Sequence, residues 1–259
     1  RLSDVDARKE LAALKLTRWP NPEESDYRGV MRQPSPGSAF TNGTVLVFHG
    51  NAGAAHEREY YIDTFERLGW RVILAEFPGY AARKGKPGES AFREDGRETA
   101  RLVRKSYPGR LALLGESLGS AVAASVAADP AVRADAVILA TPWDKLLSVA
   151  KHHYPWLPVR LFLRDRYDTA SYLRNYGGVV TLLMAEDDEI VPCRSTLALY
   201  EGLPFPNKKR LISAARVGHN DWFGQSRMSN GARFSPFRLA PDPTLLSSRP
   251  LPPRHEASL

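Results

Sequence analysis

One cysteine, Cys193, occurs in 259 residues, so no disulfide can form within the chain and nothing points to an oxidising compartment. A cytoplasmic location is therefore favoured. The chain opens on Arg1 rather than Met, which leaves a signal or anchor upstream of it open. Also missing is any window of the roughly twenty apolar residues needed to span a bilayer. The formal charge of +7 is dispersed along the chain rather than gathered into a basic arm, and no nucleic-acid module motif accompanies it. Nucleic acid is accordingly not an expected partner. His152 and His153 are adjacent and would diverge on a helix, so no metal site is expected from them.

What is present is a strand-then-helix rhythm. Residues 2–14 have helical spacing with Ser3 and Asp4 as candidate caps, and 14–19 with 27–31 read as a hairpin of edge strands. The Pro, Ser and Gly of 33–43 predict an exposed loop. Apolar strands are then expected at 44–50, 71–77, 111–114, 136–141, 179–185 and 209–214. Between them, 54–68, 90–107, the alanine-rich run ending at Asp129-Pro130, and 195–201 read as helices. Continuous apolar strands separated by helices predict an α/β fold, its mostly parallel central sheet covered by helices on both faces. The expected organisation is one domain over 1–224, with an insertion over about 143–176 and a poorly ordered Pro/Ser-rich tail over 225–259.

The stretch RLALLGESLGSAVAAS places Gly115-Glu116-Ser117-Leu118-Gly119 where a strand passes into a helix. That is the setting for G-x-S-x-G, in which a strained serine stands exposed above a sheet edge. By composition alone the pattern arises in roughly one chain in ten of this length, so partners are needed. A serine hydroxyl requires a base, and the base an orienting group. Asp187-Asp188 follow the strand VVTLLMA and His219 follows KKRLISAA, giving the order serine, acid, histidine expected with this motif. Backbone donors for an oxyanion would come from the N–H of Leu118 and from Asn51 in the loop FHGNAG. Cys193, without an acid or base motif around it, reads as an inert thiol.

The segments FHGNAG, FPGYAARKGKPGES, LLGESLGSAVA, ATPWDKLLSVA with YPWLPVRLFLRDRYD, AEDDEIVP and VGHND together resemble the α/β-hydrolase superfamily. The likeness is greatest to the serine hydrolases called α/β-hydrolase-domain-containing proteins and their bacterial relatives. It covers roughly residues 44–222 and implies a mainly parallel sheet of about eight strands, a small cap insertion, no cofactor, and a catalytic set of Ser117, Asp188 and His219. Asp188 is preferred because the acid of these hydrolases precedes a proline, here Pro192, by four residues; Asp187 is the second choice. Two departures stand out: Ala81, Ala82 and Arg83 occupy positions where the family has Gly and Ser, and the residues from Gln225 onward give no signal for the closing helix.

The implied activity is hydrolysis of a carboxylic ester or thioester of a small-molecule or lipid-like acyl substrate through an acyl-enzyme. The alternatives are a peptidase with the same triad and a catalytically silent binding protein of this fold. His49, Gly50, Trp143, Tyr154 and Trp156 are candidates to contact substrate, with His49 supporting its loop rather than serving as the base. The insertion reads equally as a structural cover or as a cap lined for an acyl chain, its arginines meeting an acidic head group or a membrane surface.

Overall fold

A computed structural model describes residues 3–23, 26–33 and 40–221. The expected tail at 225–259 and most of the expected exposed loop, 34–39, lie outside the described residues. Eight strands form one sheet in the order β1-β2-β4-β3-β5-β6-β7-β8. They are β1 (Leu16–Trp19), β2 (Gly29–Arg32), β3 (Gly43–Phe48), β4 (Trp70–Ala75), β5 (Leu111–Glu116), β6 (Ala136–Ala140), β7 (Val179–Ala185) and β8 (Lys209–Ala214). β1 and β2 form the expected antiparallel hairpin, and β2 runs antiparallel to β4. From β4 to β8 every neighbouring pair is parallel.

Side chains alternate across a strand, so consecutive apolar residues serve two cores. Leu46, Phe48, Ile73, Leu113 and Leu139 enter one, while Val45, Val47, Leu74, Leu114 and Ile138 enter the other. The first face is covered by α3 (Glu89–Ser106), α4 (Leu118–Ala127), α7 (Thr169–Leu173) and α8 (Cys193–Gly202). The second is covered by α1 (Asp4–Ala13), through Leu11, and by α2 (Glu59–Glu66), through Tyr61, Ile62 and Phe65. Helix α4 is buried on every side, which explains its run of alanines and small residues: no polar face is needed and neighbours approach closely. Its two interior serines are satisfied. The Ser120 hydroxyl lies within bonding distance of the carbonyls of Gly115 and Ala140, and Ser125 Oγ accepts from Arg93 Nε at 2.8 Å.

One expectation needs adjusting. The helix read over 54–68 begins as a 3₁₀ turn, Ala55–Arg58, before α2. There the buried Glu76 carboxylate accepts the N–H of Ala55 at 3.0 Å and so satisfies one of the donors exposed at a helix start. Residues 143–176 carry three short helices, α5 (Leu146–His153), α6 (Val159–Phe162) and α7, in keeping with the short helices that the prolines of this stretch predict. Pro155 and Pro158 interrupt the chain between α5 and α6, as their ring geometry requires. The insertion sits over the carboxyl ends of the parallel strands, the rim where open α/β sheets place their sites.

Candidate active site

Ser117 follows the last residue of β5 and precedes the first of α4, with φ 49° and ψ −114°. This is a conformation that non-glycine residues rarely adopt, and it is held because the surroundings leave no other. The Ser117 N–H donates to the carbonyl of Ala140 at 2.9 Å. The flanking glycines are steric requirements. A Cβ on Gly115 would stand 2.2 Å from the Gly119 carbonyl oxygen, and one on Gly119 would stand 2.1 Å from that of Phe48.

Three loops from distant parts of the chain meet at this turn. His219 Nε2 lies 3.0 Å from Ser117 Oγ, and His219 Nδ1 lies 2.7 Å from Asp188 Oδ2. The other oxygen of Asp188 accepts the backbone N–H groups of Ile190 at 2.9 Å and Val191 at 2.7 Å. With its side chain 2% exposed, Asp188 is thereby fixed and its lone pairs are used. Between the two candidates for the acid, Asp188 reaches His219, while Asp187 is exposed. Such a chain of groups can take a proton from the hydroxyl and return it to a departing atom.

Facing Ser117, Leu118 is the first residue of α4, so its N–H has no partner within the helix. Asn51 follows β3 in the adjacent loop, anchored by Tyr80, whose hydroxyl donates to the Asn51 carbonyl or side-chain oxygen at 2.9 and 3.0 Å. His49 is buried beneath the same loop. Its Nε2 lies 3.0 Å from Glu76 Oε1 and its Nδ1 2.7 Å from the Gly50 carbonyl, far from the role of base and suited to bracing the loop.

Two clefts open from Ser117. One, of about 650 Å³, is lined chiefly by apolar groups, among them Tyr80, Phe92, Trp143, Leu146, Val149 and Phe162. Trp143, expected at the site, is buried there, its indole N–H donating to the Tyr167 carbonyl at 3.2 Å. The other, of about 530 Å³, is polar and includes Gly50, Asn51, Arg58, Glu116, His219 and Asn220. Tyr154 and Trp156, also expected to contact substrate, line neither cleft and are 52% and 78% exposed. The prolines that end α5 turn residues 154–158 outward instead of folding them over the serine.

The polar cleft contains a group that motif reading passes over. Glu116, the variable residue before the serine, accepts hydrogen bonds from Tyr60 (2.6 Å), Tyr61 (2.7 Å) and Arg58 Nε (3.1 Å). Burial, followed by the Glu116 charge, pushes the Tyr60 and Tyr61 hydroxyls well above the usual phenol range, so both remain donors. A glutamate within the motif, with an arginine and two tyrosines in the segment 58–61, where the 3₁₀ turn meets α2, is the only signal the sequence offers. Cys193 donates its thiol to the Ala185 carbonyl at 3.1 Å. Burial and then the Asp188 charge push that thiol's pKa up, away from reactivity. Among the described residues no group of three or more His, Cys, Asp or Glu could hold a metal ion, and no helix is long and apolar enough to cross a membrane.

The sheet order, the strained serine between glycines and the histidine and aspartate after the last two strands define a class, and the chain belongs to it: the family of the α/β hydrolase fold, whose model matches residues 43–175. Among individual relatives, an uncharacterized protein of Mycobacterium tuberculosis is 34% identical over 182 residues, covering 68% of this chain and 63% of its own length. The chain thus matches under two thirds of that relative. An uncharacterized membrane protein of Saccharomyces cerevisiae is 29% identical over 185 residues, covering 69% of this chain and 65% of that protein. A solved structure from Thermus thermophilus shares the fold with a TM-score of 0.59 at 21% identity, covering 73% of this chain and 85% of that one.

Proposed function

We propose that the protein is a serine hydrolase that cleaves a carboxylic ester or thioester through an acyl-enzyme. One observation carries the reading: Ser117 Oγ stands 3.0 Å from His219 Nε2, while His219 Nδ1 stands 2.7 Å from Asp188. Ser117 Oγ attacks the carbonyl carbon as His219 takes the hydroxyl proton. Asp188 holds the imidazole in the tautomer with Nδ1 protonated and stabilises the imidazolium that forms. The carbonyl oxygen, now negative, receives the N–H groups of Leu118 and Asn51, which need not reorganise; each such donor contributes about 3 kcal/mol to the transition state. Collapse breaks the bond to the leaving oxygen or sulfur, which departs with the proton from His219. Water then repeats the sequence on the serine ester, releasing the acid and restoring the hydroxyl.

The two clefts support a division of the substrate between them. Only the leaving group must receive a proton from His219, and His219 lines the polar cleft but not the apolar one. The leaving group therefore lies among Asn51, Arg58, Glu116 and Asn220, and the acyl chain against Phe92, Trp143, Leu146 and Val149. A polar, hydrogen-bonding alcohol or thiol joined to an apolar acyl chain is the substrate class that fits.

Ser117→Ala is expected to lower turnover of p-nitrophenyl esters on the order of 10⁶-fold and to abolish covalent labelling by a fluorophosphonate probe. In the wild type, kcat/KM should rise as the acyl chain lengthens from acetyl toward octanoyl. Full activity in Ser117→Ala would refute the chemistry; a flat chain-length profile would refute the assignment of the clefts.

A further inference from the structure

Soluble proteins seldom leave large apolar side chains clustered in water, yet the insertion over the site does so. Tyr154, Trp156, Leu157, Leu161, Phe162 and Ile190 are 36–80% exposed. They form a continuous surface. The rings of His153, Tyr154 and Trp156 follow one another at centroid distances of 6.5 and 6.4 Å. His153 Nε2 lies 2.8 Å from the Ile190 carbonyl, tying this row to the loop after β7. Ile190 and Phe162 belong at once to the exposed surface and to the lining of the apolar cleft, so the patch is the mouth of that cleft.

Around the apolar residues stand Lys151, Arg160, Arg164 and Arg166, all exposed, with one acid, Asp165, within the same stretch. None of these four cations enters an ion pair among the described residues. Exposed Trp and Tyr, whose rings are apolar with a polar tip, suit the boundary between lipid and water, and unpaired basic side chains beside them suit anionic head groups.

We infer that the face formed by residues 151–166 together with Ile190 docks on the surface of an anionic lipid membrane, with the mouth of the apolar cleft turned toward the bilayer. An acyl chain can then pass from lipid to cleft without crossing water. A protein partner is the less favoured occupant, because the four exposed cations outnumber the acids at the patch: Asp165, exposed Glu189 beside Ile190, and Glu89, whose carboxylate is already held by the Arg166 N–H and the Tyr172 hydroxyl. Docking is read from vesicle binding, which does not depend on the chemistry of Ser117; only the check on the fold uses the proposed turnover.

The test is co-sedimentation of the whole chain, carrying Ser117→Ala to exclude turnover, with vesicles of phosphatidylcholine alone or mixed with phosphatidylserine. Binding is expected on the mixed vesicles and is expected to weaken steeply with added salt. Trp156→Ala with Leu161→Ala should lower the affinity at least about tenfold, as should Arg160→Glu with Arg166→Glu. None of these four residues lines either cleft, so in the Ser117 background both pairs should keep wild-type turnover of a short, water-soluble ester, showing that the fold is intact. Equal binding to both kinds of vesicle, no binding to either, or undiminished binding by both double variants would overturn the inference. So would a concentration-dependent dimer, lost in the Trp156 and Leu161 variant, that excludes vesicles.

Discussion

Replacing Gly119 by alanine reverses the sign that local propensity predicts. In an ordinary helix, glycine to alanine stabilises by about 0.5–1 kcal/mol, because glycine loses more backbone freedom on folding. Gly119 lies in the first turn of α4, and by that argument the variant should gain. Its new Cβ, however, would stand 2.1 Å from the Phe48 carbonyl oxygen and 2.5 Å from that of His49. Both obstacles are backbone at the end of β3, so no rotamer change relieves them; α4 and β3 must separate by roughly an ångström to restore ordinary contact. Overpacking of this kind costs typically about 1–3 kcal/mol and occasionally more, so the net expectation is a loss of about 2 kcal/mol. The same separation would move the Leu118 N–H away from the Asn51 loop, and kcat for a soluble ester should fall about a hundredfold if one oxyanion donor is lost. Gly96→Ala in α3 is the control. Its Cβ would meet Val126 Cγ2 at 2.9 Å and Phe48 Cε1 at 3.2 Å, side-chain atoms that can yield, so gain and cost should nearly cancel. Urea unfolding and ester turnover of both variants decide the matter. A Gly119→Ala protein with unchanged midpoint and unchanged kcat would refute the claim that this glycine sets the spacing of the site.

Two further expectations concern single groups. Asp188→Asn should lower kcat by about 10⁴-fold by allowing the wrong imidazole tautomer, whereas Asp187→Asn should leave it nearly unchanged; equal losses would remove Asp188 from its assigned role. Tyr27 is buried, and loss of hydration followed by the Glu76 charge pushes its hydroxyl up to about 12. Since the unfolded phenol titrates near 10, the folded state holds its proton more tightly, so stability is fully present below about pH 10 and declines as pH rises toward 12. Urea midpoints at pH 9 and pH 11 should show the decline, and Tyr27→Phe should lessen it; an identical pH dependence in that variant would exclude the tyrosine as a source.

The elements were largely legible because each is encoded locally. The apolar runs of β3 to β7 announce strands buried on both faces, and the alanines of α4 announce a helix with no exposed side. Asp188 could be preferred over Asp187 only through its distance to Pro192, a family pattern. In the fold the reason is visible, since the backbone N–H groups of Ile190 and Val191 grip its carboxylate. Glu116 was passed over because its partners Arg58, Tyr60 and Tyr61 lie 55–58 residues earlier. Tyr154 and Trp156 read as pocket residues because aromatics in an insertion suit a pocket, and nothing local in the sequence gives the direction in which Pro155 and Pro158 turn the chain.

By itself the sequence determined the alternation of strands and helices, the sharp turn that lifts Ser117 out of the sheet edge, and the identity of the residues able to serve it. These follow from side-chain periodicity, glycine sterics and the chemistry of a hydroxyl, an imidazole and a carboxylate, all of which act over a few residues. The tertiary structure decided that Ser117 and His219, 102 positions apart, stand within a hydrogen bond, that one cleft is apolar and the other polar, and that the aromatic loop of the insertion faces outward. Those outcomes depend on strand order and on how helices pack over the sheet, which arise from contacts between distant segments and leave no periodic trace along the chain.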